Sequence, residues 1–289
     1  MNYFEESGLK SYLDIFSREN DPEQKVMYDI EDLVHIHKLV RKRKPFTTLE
    51  FGVGFSTVTI CHALKLNKTE FDKLTTKPKL RNSKLFQHYV VDSDKFWLKN
   101  TKLNFPNELK EFVNFNFSKV YIKTINDFQI CSLYEKIPDI VPEFIYLDGP
   151  NPKDVEGDIN GLSFKCNERT VTSADLLLME STLIPGAYIL IDGRTNNARF
   201  LKNNFNRNFK LMQFKKLALF LFSLFISGFL SAQDLESHFK KLENDVLKFN
   251  SRKVIKTVDS LVSINKKSIL LEDLRALQVE AFCQTDSFY

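Results

Sequence analysis

Three aspartates, Asp92, Asp148 and Asp192, each close a short apolar run, over residues 86–91, 144–147 and 187–191. Carboxylates at the ends of such runs can accept hydrogen bonds from hydroxyls, take up protons, or ligate a hard divalent cation. A fourth acidic residue, Glu50, enters the run Leu49-Glu50-Phe51-Gly52-Val53-Gly54-Phe55-Ser56-Thr57. Gly52 and Gly54 permit a tight turn and close approach of a ligand to the backbone. A helix beginning after such a turn presents unpaired N–H groups to a ligand. A dinucleotide-binding fingerprint needs Gly or Ala at its third small position, and Thr57 stands there instead. Glu50 would repel a pyrophosphate, but it suits a ligand that carries a sulfonium and an ammonium group. A compact strand-to-helix connection with no ligand uses the same glycines.

The elements needed to position these residues follow from periodicity. Residues 24–44 predict an amphipathic helix, with Val26, Ile30, Val34, His37 and Val40 at spacings of three and four. Arg41-Lys42-Arg43-Lys44 suits its carboxyl end and Pro45 stops it; this basic run reads as a solvated helix end, or as a contact for an anionic substrate. Strands are predicted at 46–51, 86–91, 120–124, 144–147 and 187–191, with helices at 56–66 and 173–183, the second capped by Thr172 or Ser173. Residues 65–84 are polar and basic, and read as a surface insertion. Alternating strands and helices imply an α/β fold, a doubly wound, mostly parallel sheet with helices on both faces. Ligands of such sheets sit beyond the carboxyl ends of the strands, where Asp92, Asp148 and Asp192 would converge.

In order, these motifs resemble those of class I S-adenosylmethionine-dependent methyltransferases, which have a Rossmann-like sheet. Glu50-Phe51-Gly52-Val53-Gly54-Phe55-Ser56 looks like their first motif, with Ser56 where a third glycine often stands. Val90-Val91-Asp92-Ser93-Asp94 looks like the second, which implies that Asp92 binds the ribose hydroxyls. Asn126-Asp127 resembles the region that meets the adenine, and Phe144-Ile145-Tyr146-Leu147-Asp148-Gly149-Pro150 the motif facing the methyl-transfer centre. Residues 175–180, Pro185-Gly186, Ile189-Leu190-Ile191-Asp192-Gly193-Arg194, Asn197 and Phe200-Leu201 look most like bacterial sugar and polysaccharide methyltransferases. The likeness covers residues 25–211. It implies S-adenosylmethionine as cofactor, bound by Glu50, Gly52, Gly54, Ser56, Asp92 and Asp127, and methyl transfer to a hydroxyl of a sugar or similar small acceptor.

On that expectation Asp148 is the general base or substrate orienter. Asp148 and Asp192 together could hold magnesium, and Arg194 an anionic group of the acceptor. Asp192 equally fits a loop-capping role. A nicotinamide-dependent oxidoreductase is the competing enzyme class, opposed by Thr57 and Glu50. The competing non-enzyme is a membrane-tethered interaction protein with a degenerate sheet domain. The 41 basic and 37 acidic side chains leave a net charge of +4, a mild bias that gives no nucleic-acid signature. Cys61, Cys131, Cys166 and Cys283 form no paired motif and read as free thiols. His35, His37, His62 and His88 read as structural, since none has a local carboxylate or cysteine pattern.

Three segments are expected: a methyltransferase-like domain over 1–211, an apolar segment over 212–233 and an α-helical, repeat-like tail over 234–289. The first has no leader-like start and is expected in the cytoplasm. No strand pair follows the fifth strand and its helix, so the sheet should keep an open edge. Met212-Gln213-Phe214-Lys215-Lys216, the apolar run 217–230 and Ser231-Ala232-Gln233 have the anatomy of a secretory signal peptide. The run reads as a buried helix, as a membrane anchor, or as the start of a second reading frame joined at Met212. The third reading also accounts for the missing strand pair. Tail stripes such as Leu235, Phe239, Leu242, Val246 and Phe249 are helical, and no chemistry is assigned to them.

Overall fold

The computed structural model of the chain describes residues 2–19, 29–80, 84–192 and 195–211. Leu211 apart, these belong to one compact unit, Met1–Lys210. The chain opens with two helices, α1 (Asn2–Glu6) and α2 (Leu9–Glu19). Leu9, Leu13 and Phe16, at spacings of four and three, are fully buried. Helix α3 (Ile30–Arg43) starts at Asp29, whose side chain accepts from the Glu31 N–H at 2.9 Å. It ends at Lys44, in the left-handed region with its N–H bonded to the Val40 carbonyl. The predicted stripe is rotated. Leu33 and Ile36 are buried with His37 and Val40, while Ile30 is 47% exposed. Val26 lies outside the described residues.

Strand β1 (Thr47–Phe51) is buried along its whole length and leads into α4 (Phe55–Asp72). Then come β2 (Gln87–Asp92), α5 (Lys95–Leu103), β3 (Val113–Phe117), β4 (Val120–Ile125), β5 (Gln129–Tyr134) and β6 (Phe144–Leu147). The two-residue β7 (Val155–Glu156), α6 (Asp175–Met179), β8 (Tyr188–Ile191) and α7 (Thr195–Asn204) complete the order. The main sheet has five strands in the order β3-β2-β1-β6-β8, every neighbouring pair parallel. The fold is therefore α/β with a mostly parallel sheet. Leu49, Phe51, Ile145 and Leu147 face one side, with α6 and α7. Phe144 and Tyr146 face the other, with α1 to α4, as the two-residue period of a strand requires.

Several predicted elements differ. Residues 120–124 do form a strand, but β4 belongs to a separate three-stranded sheet, β5-β4-β7. The third strand of the main sheet is β3. Its Asn114 and Asn116 weaken the β signal, yet their amides bond Gln87 Oε1 at 3.0 Å and the Val90 carbonyl at 3.1 Å. The supposed insertion begins as helix: α4 runs on to Asp72 because Asn67 is buried and Phe71 packs on Phe46 and Phe86. Helix α6 is shorter than predicted and continues as a 3-10 turn over Glu180–Thr182. Ala174 starts it, not Thr172 or Ser173; the Ser173 hydroxyl donates to Asp175 instead. The basic run is tied down. Arg41 and Lys44 both reach Glu70, and Arg43 lies over the Tyr188 ring.

Strand β8 is the edge of the sheet, paired only with β6, and its residues are half-buried. Among the described residues no further strand follows it, and no helix is long and apolar enough to cross a membrane. The segments 212–233 and 234–289, with the run 217–230 and Cys283, lie outside the described residues, as do Gly193 and Arg194.

Helices α1, α3 and α4 share a buried polar contact. Tyr3 Oη lies 2.8 Å from His37 Nδ1, and His37 Nε2 lies 3.0 Å from His62 Nδ1. Burial, with the neighbouring ring and Arg41, lowers His37 to about 3. Burial, with Lys65 and Arg41, lowers His62 to about 4. The unfolded chain, at about 6.5, therefore binds more protons across that window. The pair's stabilisation is full above pH of about 6.5 and is lost as pH falls towards 4. Between pH 7 and pH 5 the protein should lose about 1–2 kcal/mol more than a His62→Asn variant. Urea unfolding at the two pH values checks this, and equal losses would contradict it.

Candidate functional site

The strand order reverses between β1 and β6, so the chain leaves these neighbours in opposite directions and opens a crevice between them. Register aligns Val91 with Phe51, Phe51 with Leu147, and Leu147 with Ile191. The next residues, Asp92, Gly52, Asp148 and Asp192, therefore emerge side by side at the carboxyl edge.

The two central loops touch through their backbones. The Phe51 carbonyl accepts from Asp148 N at 3.0 Å and Gly149 N at 2.6 Å. Gly52 has φ +104, a conformation L side chains rarely adopt. A Cβ on Gly149 would lie 3.1 Å from Gly52 N and 3.2 Å from both the Phe51 carbonyl and the Tyr134 hydroxyl. Gly54 is different. Its backbone is extended, and a Cβ there would meet nothing within 4 Å. Neither strain nor packing requires a glycine at 54, and the space above it is open to a ligand.

Glu50 lies beneath this turn with zero exposure. Its carboxylate accepts from the hydroxyls of Ser56 and Thr57 and from His88 Nε2 at 2.9 Å. Thr57 Oγ1 in turn accepts from Gly54 N at 3.0 Å. Glu50 and Ser56, expected to touch the cofactor, are thus spent on shaping the turn. His88, read as structural because no carboxylate stands near it in the local sequence, has Glu50 as partner across the strand pair, a contact invisible to local spacing.

Asp92 is 8% exposed and accepts from Asp94 N at 2.7 Å. Burial pushes its carboxyl up to about 6; the Asp94 and Val53 N–H groups oppose this, while Asp94 and Asp154 add to it. Trp97 Nε1 donates to the Val53 carbonyl at 2.7 Å, fastening α5 to the glycine turn. Asp148 is half-buried, as is Asp192, whose N–H donates to the Leu147 carbonyl at 3.1 Å. Burial, with the charges of Asp148, Asp192, Glu50 and Asp32, pushes the phenol of Tyr146 far above its ordinary value. The crevice is acidic on both sides, which favours a cationic ligand over a pyrophosphate.

Two expectations fare differently. Asp127 is exposed in the β4–β5 hairpin turn, where Asn126 and Asp127 have φ of 49° and 63°. It is not at the carboxyl edge of the five-stranded sheet; Ser118, bonded to the Asp92 carbonyl, follows β3 there. Asp148 and Asp192 adjoin, but among the described residues no group of three or more His, Cys, Asp or Glu could hold a metal ion. Sequence reasoning missed Trp97, Tyr134, Tyr146 and Asp154 as parts of the site. The spacing of Asp94 and Trp97 was a usable signal, because Asp94 caps α5 by accepting from Trp97 N.

Compared with known proteins, the chain matches no family model, and no curated protein is significantly similar to it.

The two glycines should respond oppositely to substitution. Gly149→Ala forces backbone apart and should cost about 1–3 kcal/mol. Gly54→Ala should change stability by less than about 0.5 kcal/mol. Denaturant unfolding of both variants tests the geometry.

Proposed function

We propose that the protein binds S-adenosylmethionine in the crevice at the carboxyl ends of β1, β2 and β6, and transfers its methyl group to a hydroxyl of a sugar or similar small acceptor. The observation carrying this reading is the open space over Gly54 beside an acidic edge built from Asp92, Asp148 and Asp192. The group, when bound, supplies a methyl carbon made electrophilic by its sulfonium.

The chain's own residues do the rest. The Asp92 carboxylate accepts hydrogen bonds from ribose hydroxyls. Gly52 and Gly54 let the ligand approach the backbone, and the first N–H groups of α4 lie beside it. Glu50 acts indirectly, by fixing Ser56, Thr57 and His88 around the turn. Asp148 would orient the acceptor hydroxyl and take its proton as the oxygen–methyl bond forms and the methyl–sulfur bond breaks, its electron pair returning to sulfur. Asp148 and Asp192 are the two residues that would hold a magnesium ion, which would make the acceptor hydroxyl more acidic. Asp127, out on its hairpin, takes no part.

Titration calorimetry of the full chain with S-adenosylmethionine tests the reading. Asp92→Asn should weaken binding about tenfold or more, the loss of a charge-assisted hydrogen bond. Wild-type affinity should fall as pH drops below about 6, where Asp92 takes up its proton, and Asp92→Asn should flatten that dependence. A folded wild-type chain that binds no S-adenosylmethionine would sink the proposal.

A further inference from the structure

Tyr134 ends β5 and leans its ring on Phe51, with the centroids 5.6 Å apart. The residue is 6% exposed, and among the described residues its hydroxyl meets no partner in good hydrogen-bond geometry; the Ser93 hydroxyl, close enough to act on it, donates to Asp154 instead. Buried hydroxyls are nearly always hydrogen-bonded, and phenylalanine would fill the same volume without the deficit. The hydroxyl is held in place. Tyr134 N donates to Asp175 Oδ1 at 2.9 Å, and the missing side chain of Gly149 leaves the phenol its room.

Asp92, Asp175 and Asp154 act on the phenol through their charge, and Ser93 through its hydroxyl. Asp175 is engaged: Oδ1 accepts from Tyr134 N and Oδ2 from the Ser173 hydroxyl at 2.8 Å. Ser93 Oγ donates to Asp154 Oδ2 at 3.1 Å, a link between the loops that follow β2 and β6. Asp92 directly precedes Ser93 at the carboxyl end of β2. A ligand hydroxyl entering between Ser93 and Asp154 meets a carboxylate that accepts and a phenol that donates.

We propose that the Tyr134 hydroxyl is a specificity-determining contact of the crevice, donating a hydrogen bond to a ribose hydroxyl of the nucleoside that Asp92 receives. This rests on the proposed reading of the site as nucleoside-binding. Two adjacent hydroxyls, one given to Asp92 and one received from Tyr134, distinguish a ribonucleoside from its deoxy analogues. The Ser93–Asp154 link opens as the ligand enters.

The test compares the full chain with its Tyr134→Phe variant, using S-adenosylhomocysteine, adenosine, 2′-deoxyadenosine and 3′-deoxyadenosine as calorimetric probes. The variant should bind S-adenosylhomocysteine about tenfold more weakly, the worth of one buried hydrogen bond. Its melting temperature without ligand should be equal to or above that of wild type, since an unpartnered hydroxyl is removed. One deoxyadenosine should bind wild type about tenfold more weakly than adenosine, and that penalty should shrink in the variant. Equal affinity of the two proteins for S-adenosylhomocysteine overturns the assignment of Tyr134 alone. A lowered melting temperature with unchanged discrimination does so too, because the hydroxyl is then structural. Absence of binding to folded wild type overturns the nucleoside reading itself, and this assignment with it.

Discussion

A carboxylate with no exposure to water must be surrounded by donors, and Glu50 meets that demand with three donors from two neighbouring elements. Ser56 and Thr57 come from the first turn of α4, and His88 from β2. Thr57 relays the contact to Gly54 N. One buried charge therefore fixes the strand pair, the start of the helix and the shape of the glycine turn together. Removing one partner of such a cluster leaves the others buried without theirs, which is why these clusters hold geometry. The crevice inherits its floor from this arrangement.

The opposite wall depends on the close approach of two backbones. The Phe51 carbonyl receives the N–H groups of both Asp148 and Gly149. That contact sets Asp148 beside Gly52 and leaves room for the Tyr134 phenol beneath Gly149. Trp97 fastens the remaining side by bonding the Val53 carbonyl. The crevice is thus held by neutral hydrogen bonds to the Phe51 and Val53 carbonyls, while acidic side chains gather at the surface they create. An edge that collects Asp92, Asp148 and Asp192 carries a negative potential.

Much of the frame was legible locally. The strands at β1, β2, β6 and β8 show as apolar runs ended by acidic residues or glycine, and parallel, doubly covered sheets produce such runs. Strand β3 was not legible, because its asparagines satisfy themselves on the neighbouring strand and give no apolar run. The N-terminal helices were equally hidden. Leu9, Leu13 and Phe16 are too few to stand out among charged neighbours, and only their packing on α4 shows their weight. Asp127 was misplaced because a strand found by periodicity carries no label for the sheet it joins.

By itself the sequence determined the α/β class, the glycine turn and the row of acidic strand ends, because each depends on spacing within a few residues. Tertiary structure alone decided which side chains line the crevice. Glu50 turned inward because strand pairing brought His88 to it, and Tyr134 arrived from another sheet through a hairpin. Contacts between residues some forty to eighty positions apart leave no periodic trace. Burial, which separates a ligand-binding carboxylate from one that holds the fold, is a property of the packed chain alone.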